Sequence, residues 1–205
     1  MKITSIKQQL TRSDRFSIFI DGKYSFSLGE SALLESKLVV GQEIDEAEAK
    51  KLNQLSADDV AFEQAQNYAI GRLRSRWEMA GHLKHKATSP ALTEKILNKL
   101  SNIGLLDDRK FAEAYVADRQ RLRPTSRRKI IFELRAKHVP EDIIKATLGN
   151  EENEEQGALR TLIERKRQQV RYQDDLKLTQ YLVRQGFSYG DVKSALRDET
   201  VVDTE

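Results

Sequence analysis

A chain of 205 residues with ten glycines, three prolines and no cysteine excludes disulfides, thiolate nucleophiles and cysteine-ligated zinc, and its shortage of turn residues argues against an all-β fold. Hydrophobic residues make up 39% and charged residues 33%, which suits an elongated protein with several thin cores better than one thick core. The net charge of +3 conceals an asymmetry: residues 61–105 and 106–150 carry +4 each, whereas 1–60 carry −2 and 151–205 carry −3. The basic middle calls for a polyanionic or acidic partner. No apolar stretch has the form of a secretory signal or of a membrane span, so the expected location is the cytoplasm, with no membrane partner.

Residues 1–28 read as strands. Phe16, Ile18 and Ile20 alternate with more polar positions, as do Tyr24, Phe26 and Leu28, and Asp21-Gly22 between them is a hairpin signal. A two-residue loop would put the two apolar sets on opposite faces. A three-residue loop, Asp21 to Lys23, pairs Ile20 with Tyr24 and Ile18 with Phe26 and is the expected register. Residues 2–9 can add a third strand. Ala32-Leu33-Leu34 begins a short helix that Val39-Val40-Gly41 ends, and a second runs from Ile44 to Leu55 with Asp45 and Glu46 in its first turn.

From about residue 58 the chain repeats itself. Ser75, Met79 and Leu83 recur as Ser126, Ile130 and Leu134 and again as Asp174, Leu178 and Leu182, offset by 51 and 48 residues. Ile96 and Leu100 recur as Ile144 and Leu148, then as Val192 and Leu196. Each unit opens with an amphipathic stripe: Ala61, Ala65, Tyr68, Ala69 and Leu73; then Phe111, Ala114 and Tyr115; then Leu159, Leu162 and Ile163. Ser75, Ser126 and Asp174 stand where an N-cap satisfies the free amides of a second helix. The expected fold is therefore mainly α. Three tandem three-helix repeats, at 58–105, 106–150 and 151–205, form an elongated curved array behind an N-terminal segment, 1–57, that holds a small β-hairpin or three-stranded sheet and short helices.

Catalytic residues are hard to find. His82 and His85 lie three apart on one helix, but Lys84 and Lys86 flank His85 and no third ligand has a suitable spacing; these and His138 read as surface histidines. There is no phosphate-cradling glycine loop and no nucleophile elbow, so no enzyme activity, metal or cofactor is expected. Asp107-Asp108 precedes the helix that begins near Phe111, which makes one aspartate a cap and the other a candidate contact for a partner. Phe111 and Tyr115 belong to the structural motif of that helix.

The basic run is more informative. Arg119, Arg121, Arg123, Arg127, Arg128, Lys129, Arg135 and Lys137 face a single acid, Glu133, between residues 119 and 137. Guanidinium forks suit phosphates and carboxylates, and the helix that starts after Pro124-Thr125-Ser126 directs its amides into the same neighbourhood. Arg127 and Arg128 are expected on the solvent face, with Ile130, Ile131 and Leu134 in the core. Arg72, Arg74 and Arg76 echo the run in the first repeat, and Arg165, Lys166, Arg167 and Arg171 echo it in the third, where the acids of 151–155 offset the field. Trp77 and Tyr115 read as core or interface anchors rather than a base-stacking platform.

The segment Gly104-Leu105-Leu106-Asp107-Asp108-Arg109-Lys110-Phe111-Ala112-Glu113-Ala114-Tyr115-Val116 resembles the central motif of the RecX family, regulators of the RecA recombinase. Arg119, Arg123, Ser126-Arg127-Arg128, Glu133-Leu134 and Lys137 continue the likeness. Arg74-Ser75-Arg76 with Glu78-Met79 and Leu83 is similar to the family's first repeat, and Tyr24-Ser25-Phe26 after Asp21-Gly22 is similar to the hairpin of its longer members. The resemblance covers about residues 1–198. It implies a protein that binds in the groove of the RecA–DNA filament and inhibits ATP hydrolysis and strand exchange, meeting single- or double-stranded DNA weakly or through the filament, with no chemistry of its own. The competing reading is a DNA-binding factor of helix-turn-helix type that acts without a recombinase.

The repeat reading makes a direct prediction about shape. Small-angle scattering should give a radius of gyration well above the roughly 17 Å of a compact chain of this length; a value near that figure would contradict an extended array.

Overall fold

The structure, a computed structural model, describes residues 1–122, 124–149 and 152–202. Of the basic residues singled out above, Arg123 lies outside the described residues, as does Glu151 of the acidic segment. The described chain is mainly helical behind a small antiparallel sheet of order β1-β2-β3. It divides into two compact units, one of residues 1–72 and 82–100, the other of residues 73–81 and 101–205.

In the first unit β1 (Ile3–Gln8), β2 (Arg15–Ile20) and β3 (Lys23–Gly29) form a meander. The turn between β2 and β3 corrects the expected register. It is the two-residue loop Asp21-Gly22, with φ of 48° and 78°, the left-handed pair that a hairpin of this length requires. Ile20 faces Lys23 and Phe19 faces Tyr24, yet Ile18 faces Phe26, so Ser25 is an extra residue in a β-bulge. The bulge restores the parity that the tight turn breaks. It puts Ile18, Phe26 and Leu28 on the inner face, where they are buried with Ile3, Ile20, Ala32 and Ile44.

Helix α1 (Glu30–Ser36) follows at once, and Lys37 closes it in the left-handed region at φ 53°. Helix α2 (Glu46–Ile70) begins in a capping box. The Glu48 amide donates to Asp45 Oδ1 at 2.7 Å and the Asp45 amide donates to Glu48 Oε2 at 3.1 Å. Nothing between Leu55 and Ala61 breaks a helix, so α2 runs unbroken through position 57, where the sequence suggested a boundary. The helix ends at Ile70, which leaves Leu73 off the apolar stripe and half-exposed.

Arg15 fixes α2 to the sheet. Its buried guanidinium lies 2.7 Å from Glu63 Oε2 and 3.4 Å from Asp59, and its Nε donates to Ser27 Oγ at 2.9 Å. Arg12 pairs with Glu63 as well, and Asp59 accepts the Gly29 amide at 2.8 Å. Buried charge is tolerated here because every member of the cluster has a partner.

The remaining elements come in threes in chain order: α3 (Arg76–His85) and α4 (Pro90–Asn102) following α2; α5 (Asp108–Leu122), α6 (Arg127–Ala136) and α7 (Glu141–Leu148); α8 (Glu152–Arg167), α9 (Asp175–Arg184) and α10 (Tyr189–Val202), with a 3-10 turn at Val170–Tyr172. The second triplet packs Phe111, Ala112 and Val116 of α5 against Ile130 and Leu134 of α6 and Ile144 of α7. The third packs Leu159, Leu162 and Ile163 against Leu178, Leu182, Val192 and Leu196.

The repeat is closest in α3, α6 and α9, each of ten residues. The expected caps precede them. Ser75 accepts from the Glu78 amide at 3.2 Å, Ser126 from the Lys129 amide at 3.1 Å and Asp174 from the Lys177 amide at 2.9 Å. All three helices also end alike. Ala87, His138 and Gly186 adopt φ of 57°, 54° and 95°, and the next amide reaches back to the carbonyl of Leu83, Leu134 and Leu182 respectively. This is the left-handed stop that satisfies the last free carbonyls of a helix.

Candidate nucleic-acid and partner interface

Two joints in the second unit position the basic side chains. In the first, the start of α3 meets the end of α6. Lys137, the C-cap of α6, reaches Glu78, the third residue of α3, at 2.6 Å. Trp77 stacks on His138 with ring centroids 5.0 Å apart, and Arg76 donates its amide to Asp108 Oδ1 at 2.7 Å. In the second joint, the start of α6 meets the end of α9. Lys129, the third residue of α6, donates to Gln185 Oε1 at 2.9 Å and to the Arg184 carbonyl at 3.2 Å. The Ser126 amide and the Thr125 hydroxyl both donate to the Gln185 carbonyl, at 3.2 and 2.9 Å. Gly186 lies so close that a Cβ would overlap Ser126 Oγ and fall 3.0 Å from Lys129 Cβ, so only glycine fits.

The structure thus gives most of the predicted basic residues internal partners. Arg119 donates from Nε to Glu133 Oε2 at 2.9 Å and from Nη2 to the Tyr115 hydroxyl at 2.6 Å, while that hydroxyl donates to Glu133 at 2.8 Å. The triad ties α5 to α6. Burial of the Tyr115 hydroxyl, together with the Glu133 carboxylate that accepts its hydrogen bond, pushes its pKa up. Arg135 makes two bonds to Glu141, at 2.9 and 2.7 Å, across the α6–α7 turn, and this hydrogen bonding holds the Glu141 carboxyl below its usual value.

Arg127 corrects an expectation. It is half-buried, not on the open solvent face, and its guanidinium donates to the Leu148 carbonyl at 2.7 Å and to the Gly149 carbonyl, which neutralises the C-terminus of α7. The third-repeat echoes are engaged in the same way. Arg165 donates to the Arg121 carbonyl, Arg167 holds Asp175 at 2.6 Å, Lys166 lies 4.8 Å over the Tyr181 ring, and Arg171 lies 5.7 Å from the Tyr172 ring. In the first echo Arg72 is exposed while Arg74 and Arg76 are half-buried.

Arg121 and Arg128 remain. Arg121, at the end of α5, is 77% exposed and has Asp118 only at 3.9 Å. Arg128, the second residue of α6, is exposed and makes no ion pair or hydrogen bond among the described residues. Phe132, one turn further along α6, is 72% exposed. An aromatic side chain therefore shares a helical stripe with Arg128 and Arg135, a neighbour that sequence reasoning missed.

Both aspartates of the central motif are caps. Asp107 accepts the Arg109 and Lys110 amides at 2.9 and 3.2 Å and so starts α5, whereas Asp108 caps α3 through the Arg76 amide. Among the described residues no group of three or more His, Asp or Glu side chains is placed to hold a metal, and no helix is long and apolar enough to cross a membrane.

Burial raises the Asp108 carboxyl above its ordinary range, against the Arg76 amide, which favours the ionised form. A raised value means that the folded state holds this proton more tightly than the unfolded chain does. The group therefore favours folding at low pH and opposes it as pH rises through the raised value. Asp108→Asn, which keeps an acceptor without the charge, should be at least as stable as the parent at neutral pH, with the difference closing as pH falls to about 4. Asp108→Ala should lose about 1 kcal/mol, as for an emptied cap. Chemical denaturation at the two pH values measures both, and an Asn variant less stable at neutral pH would mean that the ionised carboxylate is the better cap.

The chain matches two family models: "RecX, second three-helix domain" over residues 107–148 and "Regulatory protein RecX N-terminal domain" over residues 1–45. It is 30% identical over 202 residues to the regulatory protein RecX of Bacillus subtilis (strain 168), covering 96% of this chain and 76% of that one. The regulatory protein RecX of Listeria welshimeri serovar 6b is 30% identical over 205 residues, with 98% and 76% covered. A crystal structure of a regulatory protein RecX superposes with a TM-score of 0.79 at 27% identity, over 96% of this chain and 98% of that one. With the N-terminal sheet, the central triplet and nearly the whole length accounted for, the chain belongs to the RecX family of regulatory proteins.

Proposed function

We propose that this protein inhibits the RecA recombinase by binding in the groove of the RecA–DNA filament and altering ATP hydrolysis and strand exchange, without catalysis of its own. Family membership supplies the regulatory role. The observation that carries the proposed surface is the exposed pair Arg121 and Arg128, the first with Asp118 only at 3.9 Å and the second with no ion pair or hydrogen bond among the described residues, where Arg119, Arg127, Lys129, Arg135 and Lys137 have close internal partners. The pair flanks the short α5–α6 connection, and Phe132 lies beside it. Exposed guanidinium groups not held by a close internal carboxylate suit the phosphates or acidic side chains of a filament. DNA is then met weakly or through the filament, and repair by homologous recombination is the process regulated. Arg72, Arg74 and Arg76, at the corresponding connection of the first triplet, are proposed to contact the same partner.

Titration into a preformed recombinase filament tests the reading. The parent protein should lower ATP hydrolysis at or below equal amounts. Arg121→Glu/Arg128→Glu should melt like the parent but bind roughly an order of magnitude more weakly at low salt, and the deficit should shrink as salt rises. Arg165→Glu/Arg167→Glu should weaken binding less, and any loss there should come with lost stability, because Arg167 holds Asp175. Equal effects of the two pairs at unchanged stability would mean that overall charge governs binding. Strong preference for one duplex sequence, with no effect on the recombinase, would favour the helix-turn-helix DNA-binding factor instead.

A further inference from the structure

The two joints obey one rule. The third residue of one repeat's second helix meets the C-cap residue of the next repeat's second helix: Glu78 with Lys137, then Lys129 with Gln185. In the first joint the second helical residue also meets the left-handed stop, Trp77 stacking on His138, and in the second the stop, Gly186, lies against Ser126 and Lys129. Neither pairing sets like charges together. Glu78 and Lys137 are opposite, and Gln185 offers Lys129 a neutral acceptor.

A series built on this rule has two unmated positions. At one end is the stop of α3, where Lys86 is the C-cap and Ala87 the left-handed residue at φ 57°. At the other is the start of α9, where Leu176 is the second residue and Lys177 the third. Lys86 and Lys177 are both exposed, and neither makes an ion pair among the described residues. Leu176 is 68% exposed, at the position where Trp77 stacks on His138. A second copy could set its Ala87 turn on Leu176 as His138 is set under Trp77, but the adjoining pair would be Lys86 against Lys177.

We propose that this like-charge pair keeps copies of the chain from joining end to end through a joint that the fold otherwise offers. The contact would be head-to-tail, with the stop of α3 in one copy on the start of α9 in its neighbour. Such a contact is heterologous and would repeat from copy to copy, into rings or open chains. An exposed apolar residue at an unmated repeat end is the hazard, and one lysine on each side answers it. The inference rests on the joints alone and is independent of the partner proposed above.

The test is a charge swap in the full chain. Lys177→Glu sets Glu against Lys86 in identical copies, in the manner of Glu78 and Lys137, and Lys86→Glu sets Glu against Lys177. Each single reversal should raise the weight-average mass in sedimentation equilibrium with protein concentration, to twice the chain mass or more, and added salt should reverse the rise. The double reversal restores a like-charge pair and should sediment as a single chain, as should the parent. Glutamate at position 177 suits the third place of a helix capped by Asp174, so that variant should fold; the second reversal is an independent site should the first melt early. The proposal is overturned if neither folded single variant associates, if the double variant associates as strongly as the singles, or if the parent itself forms chains.

Discussion

The joint in which the start of one helix is seated on the left-handed stop of another organises the second unit. A helix start carries unsatisfied amides and a partial positive charge, and a helix end carries unsatisfied carbonyls and a partial negative one. Setting Ser126 and Lys129 against the Gln185 and Arg184 carbonyls answers both at once. The same need fixes the shape of the stops. Each helix must end sharply in the left-handed region for the neighbouring helix to approach. At Gly186 the approach is so close that no side chain fits, whereas at His138 the side chain is kept and stacks under Trp77.

This arrangement decides which charges are available for function. A run of eight basic residues looks like one binding surface, yet Lys129 and Lys137 join neighbouring helices, Arg127 closes the end of α7, and Arg119 and Arg135 tie α6 to α5 and α7. Arg121 and Arg128 are left to solvent. Fold and binding are therefore served by different members of the same run. Reversing Arg127 would disturb α7 and confuse lost binding with lost packing, while reversing Arg128 would not.

What the sequence disclosed follows from how local each feature is. The caps at Ser75, Ser126 and Asp174 were legible because an N-cap contacts an amide three residues away, and the apolar spacing of Met79, Ile130 and Leu178 is set by the helix period itself. The hairpin was legible, with its pairing of Ile18 and Phe26, but its turn was not: regular strands would need a three-residue loop, and the bulge at Ser25 supplies the extra residue instead. Helix α2 runs on because alanine, aspartate and glutamine between Leu55 and Ile70 give it no reason to stop. Partners of the basic residues were not legible. Lys137 finds Glu78 across 59 residues and Lys129 finds Gln185 across 56, and no local pattern announces either pair. Asp108 was similarly half-seen, since its role as a cap lies in α3, 32 residues earlier. Membership of the RecX family was legible in the central motif, because that motif combines the caps at Asp107 and Asp108 with the α5 core within one short stretch.

The joint itself is most directly tested by a double-mutant cycle on Glu78 and Lys137, whose side chains are 13% and 28% exposed. Glu78→Ala, Lys137→Ala and the double variant should be compared with the parent by equilibrium denaturation. If the pair couples neighbouring helices as described, the double variant should be more stable than the sum of the single losses implies, by about 1 kcal/mol. Strictly additive losses would mean that the two residues act separately and that the joint does not hold through this contact.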